Sequence, residues 1–128
     1  MENKLNDIDM INPKTLKKDF SILNSEGDIL RLYIDNKNNY YFGSRLINNE
    51  GTIFYPVTEE QIKDYVNSNI LLRDVFLQSD TDEVKILFKK AVKTALKQEY
   101  VDLIDSGNQL YFAFHSDLKK NEFEEKFR

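Results

Sequence analysis

The sequence predicts an α+β domain, an antiparallel β-meander of about four strands followed by helices. Three observations carry this reading. Clusters of turn residues recur at short intervals in the first half: Asn24-Ser25-Glu26-Gly27-Asp28, Asn36-Lys37-Asn38-Asn39 and Asn48-Asn49-Glu50-Gly51. This is the chemistry that closes hairpins. Between the clusters apolar residues alternate with a period of two, and after Pro56 the apolar period becomes helical.

Taken in order, residues 1–19 are polar and read as irregular or as a short N-terminal helix, because Asn12 can cap a helix that Pro13 starts and Lys18 ends. Four strands follow, Phe20–Leu23, Ile29–Asp35, Tyr40–Ile47 and Thr52–Val57. Leu30, Leu32 and Ile34 must share one face of their strand, and Phe42, Ser44, Leu46, Ile53, Tyr55 and Val57 supply the matching face on the next two. The opposite face then collects Arg31, Tyr33, Tyr41, Gly43, Arg45 and Phe54.

Thr58 and Gln61 form a capping box, and Ile62, Tyr65 and Val66 recur at helical spacing, so a helix is expected over Glu59–Asn67. A second, buried helix is expected over Ile70–Phe76, started by Asn69 and broken near Gln78–Asp80. From Asp82, residues Val84, Leu87, Phe88, Ala91, Val92, Ala95 and Leu96 fall on one helical arc, which predicts a third helix. The rival reading makes Val84–Phe88 a further strand. Leu110–Phe114 reads as a last strand after the Gly107-Asn108 turn, and Asp117–Arg128 as a terminal helix with Phe123 and Phe127 on one side.

Two segments, Pro56-Val57-Thr58-Glu59-Glu60 and Ile70-Leu71-Leu72-Arg73-Asp74, resemble those of small bacterial domains of unknown function, in which a short meander ends in a PV(T/S)EE step and continues through a helix to an I-x-LRD segment. The resemblance runs from Ile29 to Leu77. It implies the same order of meander and helices, and it brings with it no activity, cofactor or site residue.

Composition narrows the function. A chain of 128 residues with 41% hydrophobic and 31% charged residues suits one folded domain spanning residues 1–128. No run of apolar residues is long enough for a membrane span, and the opening residues lack the apolar core of a signal peptide, so a cytoplasmic location away from membranes is expected. With no cysteine, there is neither a disulfide framework nor a thiolate metal site. The 18 basic and 22 acidic residues give a net charge of −4, which disfavours coating nucleic acid through bulk electrostatics. Plentiful asparagine and lysine fit a bacterial or phage source.

Catalytic scaffolds are hard to assemble from these residues. His115 is the single histidine, so a catalytic triad or a multi-histidine metal site cannot form within one chain. The four glycines make no P-loop, no dinucleotide fingerprint and no nucleophile elbow. Asp80, Asp82 and Glu83 cluster, but a calcium loop starting at Asp80 would need glycine at Lys85 and glutamate at Ala91. Their plain reading is the acidic N-terminus of a helix. No cofactor, metal ligand or catalytic residue is assigned.

Two groups remain as candidate binding surfaces. Arg31, Tyr33, Tyr41, Arg45 and Phe54 share a sheet face on which arginines beside aromatics could grip anions or stack on bases, with Gly43 permitting close approach. The plain alternative is a helix covering that face and acids such as Asp35 or Glu50 pairing with the arginines. Lys85, Lys89, Lys90, Lys93 and Lys97 form a basic stripe along the third helix, which reads plainly as a solvated flank. Together these features point to a non-enzymatic module that binds another protein, as an accessory, antitoxin, immunity or regulatory protein. A nucleic-acid or nucleotide binder is the first alternative and a carboxylate-bound metal enzyme the second.

Overall fold

The computed structural model describes residues 12–24, 27–47, 51–116, 118 and 120–128. Six antiparallel strands are ordered as they occur in the chain: β1 (Leu16–Asn24), β2 (Asp28–Asp35), β3 (Tyr40–Arg45), β4 (Thr52–Val57), β5 (Glu83–Phe88) and β6 (Ala91–Leu96). Helices α1 (Glu59–Val66) and α2 (Leu72–Gln78) connect β4 to β5. After β6 come α3 (Gln98–Asp105), a 3-10 turn (Leu110–Ala113) and α4 (Lys120–Phe127).

The expected register holds in the central strands. Leu30 lies opposite Ser44 and Leu32 opposite Phe42, and on the next pair Phe42 faces Tyr55 and Ser44 faces Ile53. These side chains point into the main core, where Leu30, Leu32, Phe42, Ile53 and Tyr55 are fully buried with Val84 and Ile86 of β5. Ile62, Tyr65, Val75, Phe76, Ile104, Phe112 and Phe123 close that core from the helical side. Two polar groups inside it are satisfied mutually, since the Ser44 and Tyr55 hydroxyls lie 2.8 Å apart.

The helix starts are set by side chains. At α1 the Thr58 hydroxyl accepts from the Gln61 N–H, while the Gln61 side-chain oxygen Oε1 accepts from the Thr58 N–H at 2.9 Å. α2 starts later than Asn69 would place it, because the Asp74 carboxylate accepts from the Leu71 N–H at 3.0 Å and Leu71 becomes the extended residue before the helix.

The predicted helix over Asp82–Gln98 is instead the β5–β6 hairpin, and the rival strand reading of Val84–Phe88 is the one observed. The reason is visible in Ile86, which lies off the helical arc but shares the inward strand face with Val84 and with Ala95 across the ladder. The turn hid the hairpin. Lys89 and Lys90 take φ of 49° and 66°, the left-handed pair of a two-residue hairpin turn, where Asn-Gly is the usual signal.

Other elements shift for similar reasons. Asn12 caps a single turn, its side chain accepting from the Lys14 N–H at 2.9 Å, but the chain then turns extended, so β1 begins at Leu16 and the expected helix to Lys18 does not form. Leu110–Phe114 is no strand. Phe112 alone inserts into the core against Phe76, while Leu110 and Phe114 are exposed, a spacing that a 3-10 turn gives and a strand cannot. The terminal helix is shorter than expected, with Phe123 buried and Phe127 packed beside it.

Leu32→Ala should cost about 2–5 kcal/mol, as large-to-small core changes do, measured by urea unfolding. A loss at the level of a surface change would show that the two faces of β2 are reversed. Replacing the turn by Lys89→Asn with Lys90→Gly should raise stability by up to about 1 kcal/mol in the same assay, since left-handed backbone strains side chains other than Asn and Gly. A loss of stability would show that the lysines make contacts that outweigh the strain.

Candidate functional site

Every helix described packs on the face that carries Leu32 and Phe42. The other face of the sheet has no described helix on it, so the proposed covering of the Arg31 face is not seen. Ladder pairing lines up the residues there. One row runs Ser21, Arg31, Gly43, Phe54, Lys85 and Thr94 from β1 to β6; beside it lie Asp19, Tyr33, Tyr41 and Pro56 on one side, and Arg45, Thr52, Leu87 and Val92 on the other.

Gly43 lies at the centre of this face, but its space is taken by the protein itself. A Cβ there would stand 2.7 Å from Phe54 Cε1 and 2.9 Å from Tyr33 Cε2, because the two rings close over the glycine with centroids 5.7 Å apart. Leu87 and Val92 complete a small second cluster around Phe54, which is 2% exposed. A base cannot stack on a ring so enclosed. Burial raises the Tyr33 hydroxyl to about 12, partly offset by the Arg31 charge.

The charges on this face are internally matched. Arg31 Nε donates to Asp19 Oδ1 at 2.7 Å, Nη2 approaches the same oxygen at 2.5 Å, and Nη1 meets Asp28 Oδ2 at 3.0 Å. The acids on Arg31 are therefore Asp19 and Asp28 and not Asp35. Glu50 lies outside the described residues. Asp35 instead organises the β2–β3 turn, accepting from the N–H groups of Lys37 and Asn39, and hydrogen-bonds Tyr41. With two carboxylates on one guanidinium, an incoming anion would meet net negative charge.

Arg45 does not stand opposite Arg31. Gly43 holds that position, and Arg45 sits at the end of β3, where its Nε donates to the Asp28 carbonyl at 3.1 Å and its guanidinium lies 5.7 Å from the Tyr111 ring centroid. The five residues of the candidate face thus share one side of the sheet, but the two arginines serve separate contacts.

The lysine stripe is dispersed by the hairpin. Lys85 lies on the open face and donates to Thr94 Oγ1 at 2.7 Å, Lys89 and Lys90 form the tip, and Lys93 points to the other face. Lys97 has a role that its position in a charge pattern could not reveal. Its Nζ donates to the carbonyls of Leu77 at 3.0 Å and Ser79 at 2.7 Å and lies over Phe76, so it caps the C-terminus of α2. Desolvation pulls its ammonium below the ordinary lysine range, although Asp80 and Asp82 act the other way.

Asp80, Asp82 and Glu83 line the approach to β5 and not a helix start, and among the described residues no group of three or more histidine or acidic side chains could hold a metal ion. His115 is exposed beyond the 3-10 turn. Among those residues, no helix is long and apolar enough to cross a membrane.

No protein-family model, curated protein or solved structure matches this chain.

Gly43→Ala should destabilise the domain by about 1–3 kcal/mol, the usual cost of overpacking, because both aromatic rings must move. Thermal unfolding measures this, and an unchanged midpoint would mean that Tyr33 and Phe54 do not close over residue 43.

Proposed function

We propose that this domain is a non-enzymatic interaction module whose partner is another protein, bound through the open face of the sheet. One observation carries the reading. The described helices cover one side only, leaving on the other a partly buried apolar cluster of Tyr33, Phe54, Leu87 and Val92, with Leu96, 53% exposed, farther along β6 on the same face. An apolar cluster on a sheet face that no described helix covers favours a protein partner. The matched charges around Arg31 and the enclosed Phe54 ring argue for apolar contact in place of base stacking or anion capture. A role as an accessory, antitoxin, immunity or regulatory protein is compatible with such a surface.

The test is affinity capture from a lysate of the source organism with the full chain, run in parallel with Leu87→Glu on the open face and Glu60→Lys on the helical side. A protein should be retained by the unaltered chain and by Glu60→Lys, and lost with Leu87→Glu, whose circular dichroism should be unchanged. Retention by Leu87→Glu would sink the proposal. So would recovery of nucleic acid, released by nuclease and by moderate salt, since phosphate contacts give that steep salt dependence.

A further inference from the structure

The β5–β6 hairpin ends the sheet in an unpaired edge, and we propose that β6 pairs with β6 of a second copy of this chain, extending the sheet across a twofold axis. The edge shares Val92 and Leu96 with the proposed binding face, and the two readings are told apart by their readouts, self-association for the edge and capture of another protein for the face.

The two edges of the sheet differ. β1 is interrupted by register shifts between Leu16 and Lys18, Ser21 and Leu23, and Leu23 and Asn24. Its Lys18 is held by the carbonyls of Lys126, Phe127 and Arg128. Irregularity of this kind blocks association through an edge. β6 has no such break, pairing with β5 from Ala91 to Leu96 without a shift, and among the described residues no strand lies on its other side.

A two-residue turn closes on a hydrogen-bonded pair, here Phe88 and Ala91, so the bonded pairs continue as Ile86 with Lys93 and Val84 with Ala95. The backbone N–H and C=O groups of Val92, Thr94 and Leu96 therefore point away from β5. Among the described residues nothing bonds to this regular row, and the Leu96 side chain beside it is exposed.

A twofold axis normal to the sheet keeps the open faces on the same side, so only residues of the same face can stand opposite each other. Two registers satisfy this and keep most of β6 in the ladder. Centring on Lys93 sets that lysine against its own copy, a repulsive pair, and joins only Val92 with Thr94 among the outward-pointing residues. Centring on Thr94 places Val92 opposite Leu96 of the second copy, on both sides of a Thr94–Thr94 pair, and sets Lys93 against Ala95. All three outward-pointing residues are then matched, and Leu96 is covered. The same register brings the Lys89–Lys90 tip toward the start of α3 of the second copy, where Glu99 carries the opposite charge. Charge, hydrogen bonding and apolar cover select the same arrangement, and the two open faces meet across the seam at Val92 and Leu96.

Sedimentation velocity on the full chain should show a dimer whose share rises with concentration through the micromolar range. Thr94→Pro removes an N–H that points away from β5, so the variant should be monomeric with its circular dichroism retained. Leu96→Lys should give the same result without a proline in the strand. Because the chain has no cysteine, single cysteines report the register. Thr94→Cys should form an interchain disulfide under mild oxidation, since directly opposed Cα atoms stand about 5.5 Å apart, and Lys93→Cys should not. A chain that stays monomeric, a dimer that survives both Thr94→Pro and Leu96→Lys, or crosslinking through Lys93→Cys in preference to Thr94→Cys would overturn the proposal.

Discussion

Edge-to-face packing of aromatic rings joins the sheet to its helices. Tyr55 meets Phe42 at 6.1 Å and Phe76 at 5.1 Å, and Phe76 passes the contact to Phe112, while Phe42 also reaches Tyr65. These rings come from β3, β4, α1, α2 and the 3-10 turn, so segments distant in sequence share one set of contacts. Perpendicular rings are held by their quadrupoles as well as by burial. With the inner face of the sheet committed in this way, the outer face is fixed by strand alternation, and no described helix covers it.

Two lysines lock the helical layer onto the sheet, and neither behaves as a surface charge. Lys97 follows β6 and caps α2, while Lys18 on β1 holds the last carbonyls of α4. Each reaches from a sheet edge to a helix C-terminus, where the unbonded carbonyls and the macrodipole favour a cation. Gln109 acts similarly, its buried side-chain oxygen accepting from the Ile47 N–H at 2.9 Å beyond the end of β3. Polar groups thereby close the places where regular hydrogen bonding stops.

The distribution of charge separates this domain from an anion-binding sheet. Arg31 is committed to Asp19 and Asp28 across the outer face, and the hairpin spreads its lysines over two faces and a tip. Arg31 and Arg45 both meet Asp28, the first at its carboxylate and the second at its carbonyl oxygen. The lysines at the tip occupy left-handed backbone that glycine or asparagine would adopt more easily, so their charge is kept at some cost to the turn.

The sequence by itself determined the central meander, the faces of β2, β3 and β4, and the start of α1. Those features depend on neighbours within a few residues: turn clusters rich in asparagine and glycine, period-two alternation, and the Thr58–Gln61 box. It also placed Arg31, Tyr33, Tyr41, Arg45 and Phe54 on one face. Tertiary structure decided what lies beyond that range. The β5–β6 hairpin was hidden because Lys89-Lys90 carries no turn signal and an apolar run so dense fits either period; its strand form follows from pairing of Phe54 and Ile53 with Lys85 and Ile86, residues some thirty positions away. The partners of Arg31, the closing of two rings over Gly43 and the capping role of Lys97 are likewise meetings between separate strands and helices, and a local pattern carries no record of them.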